Sequence, residues 1–220
     1  MKFKPMGIIN KGINGPFKGK TGSVIGSSWK KISYIKGLPK KKNVKRTPSP
    51  EQTLQQRRFK LLNDFLHPIS TLLKIGFSSF LSKSTSVSAA FSYNYEQAFL
   101  ETDDRLSLDY KALQLSRGSL CMAGAERAWI ENGGMVISWN PKTYGMGGEM
   151  DDTAHVLVYH AGENVFLSDD RPARRQDGAT FVDVSEWPLD ETFHVWLFFA
   201  DQQQKRVSQT VYIPVSYTAS

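Results

Sequence analysis

Cysteine is almost absent from this chain. Cys121 is the single one in 220 residues, which excludes an intrachain disulfide. Set between Leu120 and Met122, it reads as a small packed apolar residue rather than a nucleophile. Histidine is also scarce, with His67, His155, His160 and His194 alone. No Cys/His spacing matches a zinc site, and His155 and His160, five apart in one strand-like stretch, face opposite sides. No apolar run reaches the ~18 residues of a membrane helix, so no membrane span is expected. The basic first 20 residues carry glycines instead of a continuous apolar segment, so no signal peptide is legible and a cytoplasmic location is expected. Asp and Glu are missing altogether from the first 50 residues.

That carboxylate-free stretch holds thirteen Lys and Arg. By Lys60 there are sixteen basic residues against one acid, Glu51, so the first 60 residues carry +15 and the remainder −8 within a net charge of +7. Such asymmetry points the N-terminal arm, residues 1–48, at an acidic partner. The candidates are the acidic surface of another copy or of another protein, and nucleic acid. Within the arm, Val24 to Trp29 and Ile32 to Ile35 flank Lys30-Lys31. This reads as a glycine-rich β-hairpin with apolar residues on both faces, which needs a partner surface to be stable. The candidate interaction residues are Lys18, Lys20, Trp29, Lys30, Lys31 and Tyr34, continuing through the connector as Lys40, Lys41, Lys42, Lys45 and Arg46. The connector has no aromatics between its lysines, so base stacking is not supported there. Core packing explains Trp29 and Tyr34 at least as well as ligand contact does.

Gly15-Pro16-Phe17-Lys18-Gly19-Lys20-Thr21 is not a phosphate-binding loop. It has three residues between its first glycine and Gly-Lys-Thr where four are needed. Pro16 also removes an amide, and no helix start follows Thr21.

Residues 49–105 form a helical segment with a serine-rich linker. Ser49 can cap, Pro50 suits the first helical position and Gln52 completes a capping box. Leu54, Leu61, Leu62, Phe65, Ile69, Leu72 and Leu73 give an apolar stripe at helical spacing, broken at Pro68 and closed at Gly76. Residues 78–88 read as a crossover or exposed strand, and Ala89 to Phe99 as a short helix with Phe91, Tyr95 and Phe99 on one face.

Residues 106–220 read as seven short strands. They are Leu106 to Leu115, Gly134 to Trp139, Ala154 to His160, Asn164 to Ser168, Ala179 to Val184, Thr192 to Ala200 and Arg206 to Val215. Period-two alternation implies one buried and one solvated face on each. The expected class is mainly β, with a C-terminal β-sandwich preceded by the hairpin arm and the helices. Trp139, Tyr159, Trp196 and Phe198 are expected in its core.

Val136-Ile137-Ser138-Trp139-Asn140-Pro141 resembles the second strand of fibronectin type III and immunoglobulin-like domains, with Trp139 as core tryptophan. Val156-Leu157-Val158-Tyr159 resembles their third strand. Leu189, Thr192, Phe193 and Val195 resemble the turn into their sixth, with phenylalanine where tyrosine is usual.

The whole chain resembles a Bacteroidota family of unknown function, of about 200 residues. The resemblance is carried by Gly15-Pro16-Phe17-Lys18-Gly19-Lys20-Thr21-Gly22-Ser23-Val24-Ile25-Gly26, Leu38-Pro39-Lys40, the helix entry from Arg46-Thr47-Pro48 to Phe59, Ile75-Gly76-Phe77 and Leu115-Ser116-Arg117-Gly118. It implies no catalytic residues and no cofactor. The N-terminal signature also resembles phage structural proteins.

No nucleophile stands in readable reach of a base. Asp151-Asp152 and Asp169-Asp170 lack the pattern of a calcium loop. The expected function is therefore non-catalytic: a structural or interaction protein that docks or self-assembles through its arm, in a virion or mobile-element particle. Nucleic-acid binding by the arm is the alternative. An exported carbohydrate- or protein-binding module is a third reading, disfavoured by the missing signal.

Overall fold

The computed structural model describes residues 8–9, 15–29, 32–38, 47–82, 84–102, 105–143, 145, 147–169, 171–188 and 193–217. The chain divides into two compact units, Met1–Pro48 and Ser49–Ser220. It is mainly β, built of several antiparallel sheets and three α-helices.

The first unit is a sheet of four strands in sequence order, β1 (Ile8–Ile9), β2 (Phe17–Thr21), β3 (Val24–Trp29) and β4 (Ile32–Gly37). The hairpin expected from sequence is β3–β4, with Trp29 opposite Ile32. The sheet extends beyond it because β2 pairs with β3 through a two-residue turn that closes Thr21 onto Val24. Gly26 makes this possible: a Cβ there would fall 2.2 Å from the Phe17 carbonyl oxygen. Glycine is, at this position, the condition for close strand approach.

The second unit opens on α1 (Pro50–Leu66). Its capping box is formed: Gln52 N–H donates to Ser49 Oγ at 3.2 Å, and Ser49 N–H to Gln52 Oε1 at 3.1 Å. Pro68 separates α1 from α2 (Ser70–Gly76). A 3-10 turn at Ser78–Phe80 then leads to α3 (Ser86–Asn94). The helix starts three residues before the expected Ala89 because the Thr85 hydroxyl accepts from Ser88 N–H at 3.2 Å, so the serine-rich stretch holds a cap and a first turn.

The expected first sandwich strand, Leu106 to Leu115, is not one. A local hairpin of β5 (Phe99–Thr102) and β6 (Arg105–Leu108) takes its start. The rest turns inward, placing Leu108, Leu113 and Leu115 in the core beneath the helices. The strand that begins the sandwich is β7 (Arg127–Glu131), which the sequence reading passed over. It joins β8 (Gly134–Ser138) across Asn132-Gly133, where both residues have positive φ, 52° and 78°. This is the strongest short hairpin signal a sequence carries.

There follow β9 (Thr153–His160), β10 (Val165–Leu167), β11 (Ala179–Asp183), β12 (Phe193–Ala200), β13 (Val211–Ile213) and β14 (Val215–Ser216). One sheet runs β11-β8-β7-β14 and the other β10-β9-β12-β13. The expected last strand, Arg206 to Val215, is divided at Pro214. Before it, β13 pairs with β12; after it, β14 runs parallel to β7 in the opposite sheet. Proline cannot donate to a ladder, so the break falls where the chain changes sheets.

The central pair β9–β12 departs from the one-face expectation. Every residue of β12 is buried. Val156, Val158, Val195, Leu197 and Phe199 face the other sheet and its Met135, Ile137 and Trp139. Leu157, Tyr159 and Trp196 face the helices, among Leu62, Phe65, Leu66 and Leu73. Trp139, Tyr159, Trp196 and Phe198 are all buried, but Trp139 belongs to the inter-sheet core and Tyr159 and Trp196 to the helical one. Phe65 of α1 sets its ring edge-on to Phe166, Tyr159 and Trp196, with centroids 5.1, 5.3 and 5.9 Å away.

Two glycines predict opposite sensitivities. A Cβ on Gly76 would lie 2.0 Å from the Leu115 carbonyl oxygen, a backbone atom. A Cβ on Gly134 would meet the exposed Phe181 ring at 1.8 Å, which can rotate away. Thermal unfolding should therefore show Gly76→Ala destabilised by about 1–3 kcal/mol or more and Gly134→Ala by much less.

Candidate interaction surface

Register decides which side chains of the first unit share a face. Opposed residues of an antiparallel pair lie on one side. Lys20, Ile25 and Lys36 therefore form one row across three strands, followed by Ser27 with Tyr34 and Trp29 with Ile32. This face carries two lysines in one row and Tyr34 and Trp29 in the rows beside it. The opposite face carries Ile35 opposite Gly26, with Phe17 lying over that glycine.

Trp29, Ile32, Tyr34 and Ile35 are 46%, 63%, 43% and 65% exposed. Trp29 and Tyr34 are therefore not core residues. Every residue of β4 is exposed, and β4 is an outer strand of its sheet. Lys18 and Lys20 are exposed on β2. The structure thus brings Lys20, Trp29 and Tyr34 of the predicted set onto one face and adds Lys36, which sequence reading missed because its partners are set by pairing. Lys30, Lys31, Lys40, Lys41, Lys42, Lys45 and Arg46 lie outside the described residues.

The second unit holds an ion pair that the sequence did not disclose. Arg175 and Asp152 are both buried, with Nε 3.2 Å from Oδ2. The guanidinium also donates from Nη2 to the Cys121 carbonyl at 2.7 Å and lies 3.9 Å from the centroid of the Phe199 ring. The Asp152 carboxylate accepts from Glu149 N–H at 2.9 Å, and the Arg175 carbonyl accepts from Trp139 Nε1 at 2.8 Å. One arginine thus ties the loop before β9, the segment at Cys121 and the core tryptophan together. In sequence, Asp151-Asp152 and Arg174-Arg175 are loop pairs with nothing to connect them.

His155, His160 and His194 each pack against aromatic rings. His155 stacks on Phe198 at 5.1 Å, on the face of β9 opposite that of His160. His194 lies against Tyr110 at 4.1 Å, with Nδ1 2.9 Å from the Tyr212 oxygen. Burial lowers the pKa of His155 to about 4, and burial together with the charge of Lys111 lowers that of His194 to about 4. Burial and the neighbouring Tyr110 push the Tyr159 phenol above its ordinary value, keeping it a neutral donor to Asn164 at 2.8 Å. Among the described residues, no group of three His, Cys, Asp or Glu could hold a metal ion, and no helix is long and apolar enough to cross a membrane.

Two outcomes follow from these buried groups. Asp152→Ala leaves the Arg175 charge buried without its partner and should cost about 3–5 kcal/mol in chemical denaturation. The double variant Asp152→Leu with Arg175→Met should recover most of that loss. The histidines make stability depend on pH. Unfolded, each binds a proton near its ordinary pKa of 6.5; folded, His155 and His194 do so only near 4. Stability is therefore full above pH 6.5 and falls as pH drops toward 4, by at most about 1.4 kcal/mol per pH unit for each histidine. Urea midpoints between pH 7.5 and 5 should show this decline, and His155→Phe should make it shallower.

Comparison with curated proteins finds no match, and comparison with solved structures finds none either. The match among family models takes in residues 16–214, from β2 through the helices to β13. The chain therefore belongs to the family of unknown function DUF6266.

Proposed function

We propose that the protein is a non-catalytic structural or interaction protein that docks or self-assembles through its N-terminal sheet. The observation that carries this reading is the outer strand β4, exposed along its whole length with Ile32, Tyr34 and Ile35 uncovered. An outer strand of this kind has backbone donors and acceptors free to pair with another strand, and apolar side chains on both faces to bury when it does. The charge split supplies direction. The first 60 residues carry +15 and the remainder −8, so an acidic protein surface, including that of another copy, attracts the arm. Assembly into a virion or mobile-element particle is the setting that the N-terminal signature implies.

A second reading, nucleic-acid binding, draws on the row Lys20–Ile25–Lys36 beside Tyr34 and Trp29. Lysines beside aromatic rings on one sheet face suit a phosphate backbone and stacked bases. The sandwich reads as fibronectin type III-like. Its first, second and fifth strands share one sheet, its third, fourth, sixth and seventh the other, and that division supports the resemblance of strands β8 and β9. Such sandwiches host many functions, so the arm carries the functional argument.

Light scattering at several protein concentrations and two salt levels tests the first reading. The full chain should show a concentration-dependent mass. Deleting residues 1–46, or replacing Tyr34 and Ile35 with serine, should return it to a monomer. A concentration-independent monomer for the full chain refutes self-assembly. Retention on duplex DNA that weakens with salt, at a slope of roughly −0.9 per phosphate neutralised, and that is lost with Lys20→Ala and Lys36→Ala, would establish the second reading instead.

A further inference from the structure

Two motifs far apart in sequence, Ile75-Gly76-Phe77 and Leu115-Ser116-Arg117-Gly118, meet in the second unit. Arg117 N–H donates to the Gly76 carbonyl at 2.9 Å. The segment around Arg117 is held donor by donor, though it belongs to no sheet. Gln114 N–H donates to Asn94 Oδ1 at 2.7 Å, and Leu115 and Ser116 N–H both donate to Thr210 Oγ1, at 2.9 and 2.7 Å. Ser116 Oγ donates to the Ser208 carbonyl at 2.9 Å. Gly118 packs so closely that a Cβ would lie 2.0 Å from the Val207 carbonyl oxygen.

This pinning presents one side chain outward. Arg117 is exposed, and its guanidinium lies 4.5 Å from the Tyr93 ring centroid and 5.6 Å from that of Phe80. These cation–π contacts restrain the guanidinium without using its N–H donors. No described carboxylate forms an ion pair with it. Beside it is a hollow of about 310 Å³, lined by Phe77, Phe80 and Tyr93 and bordered by the α3 serines Ser88 and Ser92.

We propose that this hollow binds a carboxylate carried next to an apolar group, with Arg117 as its bidentate partner and the aromatic rings as the apolar lining. Oriented guanidinium and planar carboxylate match in geometry as well as charge. The volume lies at the lower end for small-ligand sites, and so suits one side chain or chain terminus. A polyanion is a poorer fit. It needs several cations along a track, and among the described lining residues Arg117 is the one cation. The carboxylate can come from an acidic side chain or from a peptide C-terminus. The site lies within the second unit and does not rest on the role of the arm.

The test uses the isotope-labelled full chain and NMR titration with 3-phenylpropanoate and, separately, its amide. Two acetylated leucine-rich tripeptides follow, one with an internal aspartate and a blocked end, one with a free C-terminal carboxylate. The carboxylate probe should shift resonances of Phe77, Phe80, Tyr93 and Arg117, and the amide should not. Arg117→Gln should weaken carboxylate binding by about tenfold or more, with Tm showing that the variant folds, and Arg117→Lys should not restore full affinity. The tripeptide that binds more tightly identifies the source. Equal binding of acid and amide, no shift with any carboxylate, or a response only to a short DNA duplex would overturn the proposal. Repeating the titration with the Tyr34 and Ile35 serine variant separates it from the arm: carboxylate binding should be unchanged.

Discussion

The pairing of β9 with β12 is the interaction on which the second unit depends. Eight residue pairs join the two strands, from Phe193 opposite His160 to Ala200 opposite Thr153. Because side chains alternate, this one ladder supplies residues to two cores at once. Val195 and Leu197 go to the inter-sheet core, and Trp196 to the helical one. A sheet buried on both faces needs a cover on each. The second sheet provides one and α1–α3 the other, with Phe65 as the aromatic contact that reaches Tyr159 and Trp196. The helices are thus part of the same fold as the sandwich.

Burial of this extent forces polar groups to find partners inside. The solution recurs in two places. At one, Arg175 and Asp152 neutralise each other while tying Trp139 and Cys121 to the loop before β9. At the other, the segment from Gln114 to Arg117 is itself in no sheet. Side-chain oxygens of Asn94 and Thr210 and the carbonyl of Gly76 accept its N–H groups instead. Each device orders an irregular stretch, and the second leaves Arg117 aimed outward.

The first unit is built differently. Most of the side chains of β2 and all of those of β4 are exposed. Its aliphatic and aromatic residues sit among lysines on a sheet that, among the described residues, has no second layer. Exposed apolar surface on an outer strand, joined to strong positive charge, is the physical profile of a contact region. The proposed docking role rests on that profile, and the carboxylate site rests on a different one: a single oriented cation over aromatic rings.

Much of the fold was legible in residues that act locally. Ser49 with Gln52 announces the start of α1, Pro68 its break, and alternation in Val156-Leu157-Val158-Tyr159 a strand. The β3–β4 hairpin and the absence of carboxylates before Glu51 are equally plain, since turn chemistry, capping and charge are properties of short stretches. Even β7 was within reach, because Asn132-Gly133 requires a strand on both sides. What tertiary structure alone decided is everything that depends on distant partners. The near-continuous apolar run of β12 does not say what covers its second face. Leu113 and Leu115 alternate like a strand yet pack beneath helices. Arg175 and Asp152 are two charges among many until folding buries them 3.2 Å apart. The row of Lys20, Ile25 and Lys36 exists only through register, and the hollow at Arg117 only because Gly76 and Gly118 let two backbones touch. Short-range sterics and hydrogen bonding write themselves into neighbouring residues; packing and electrostatics between distant segments do not.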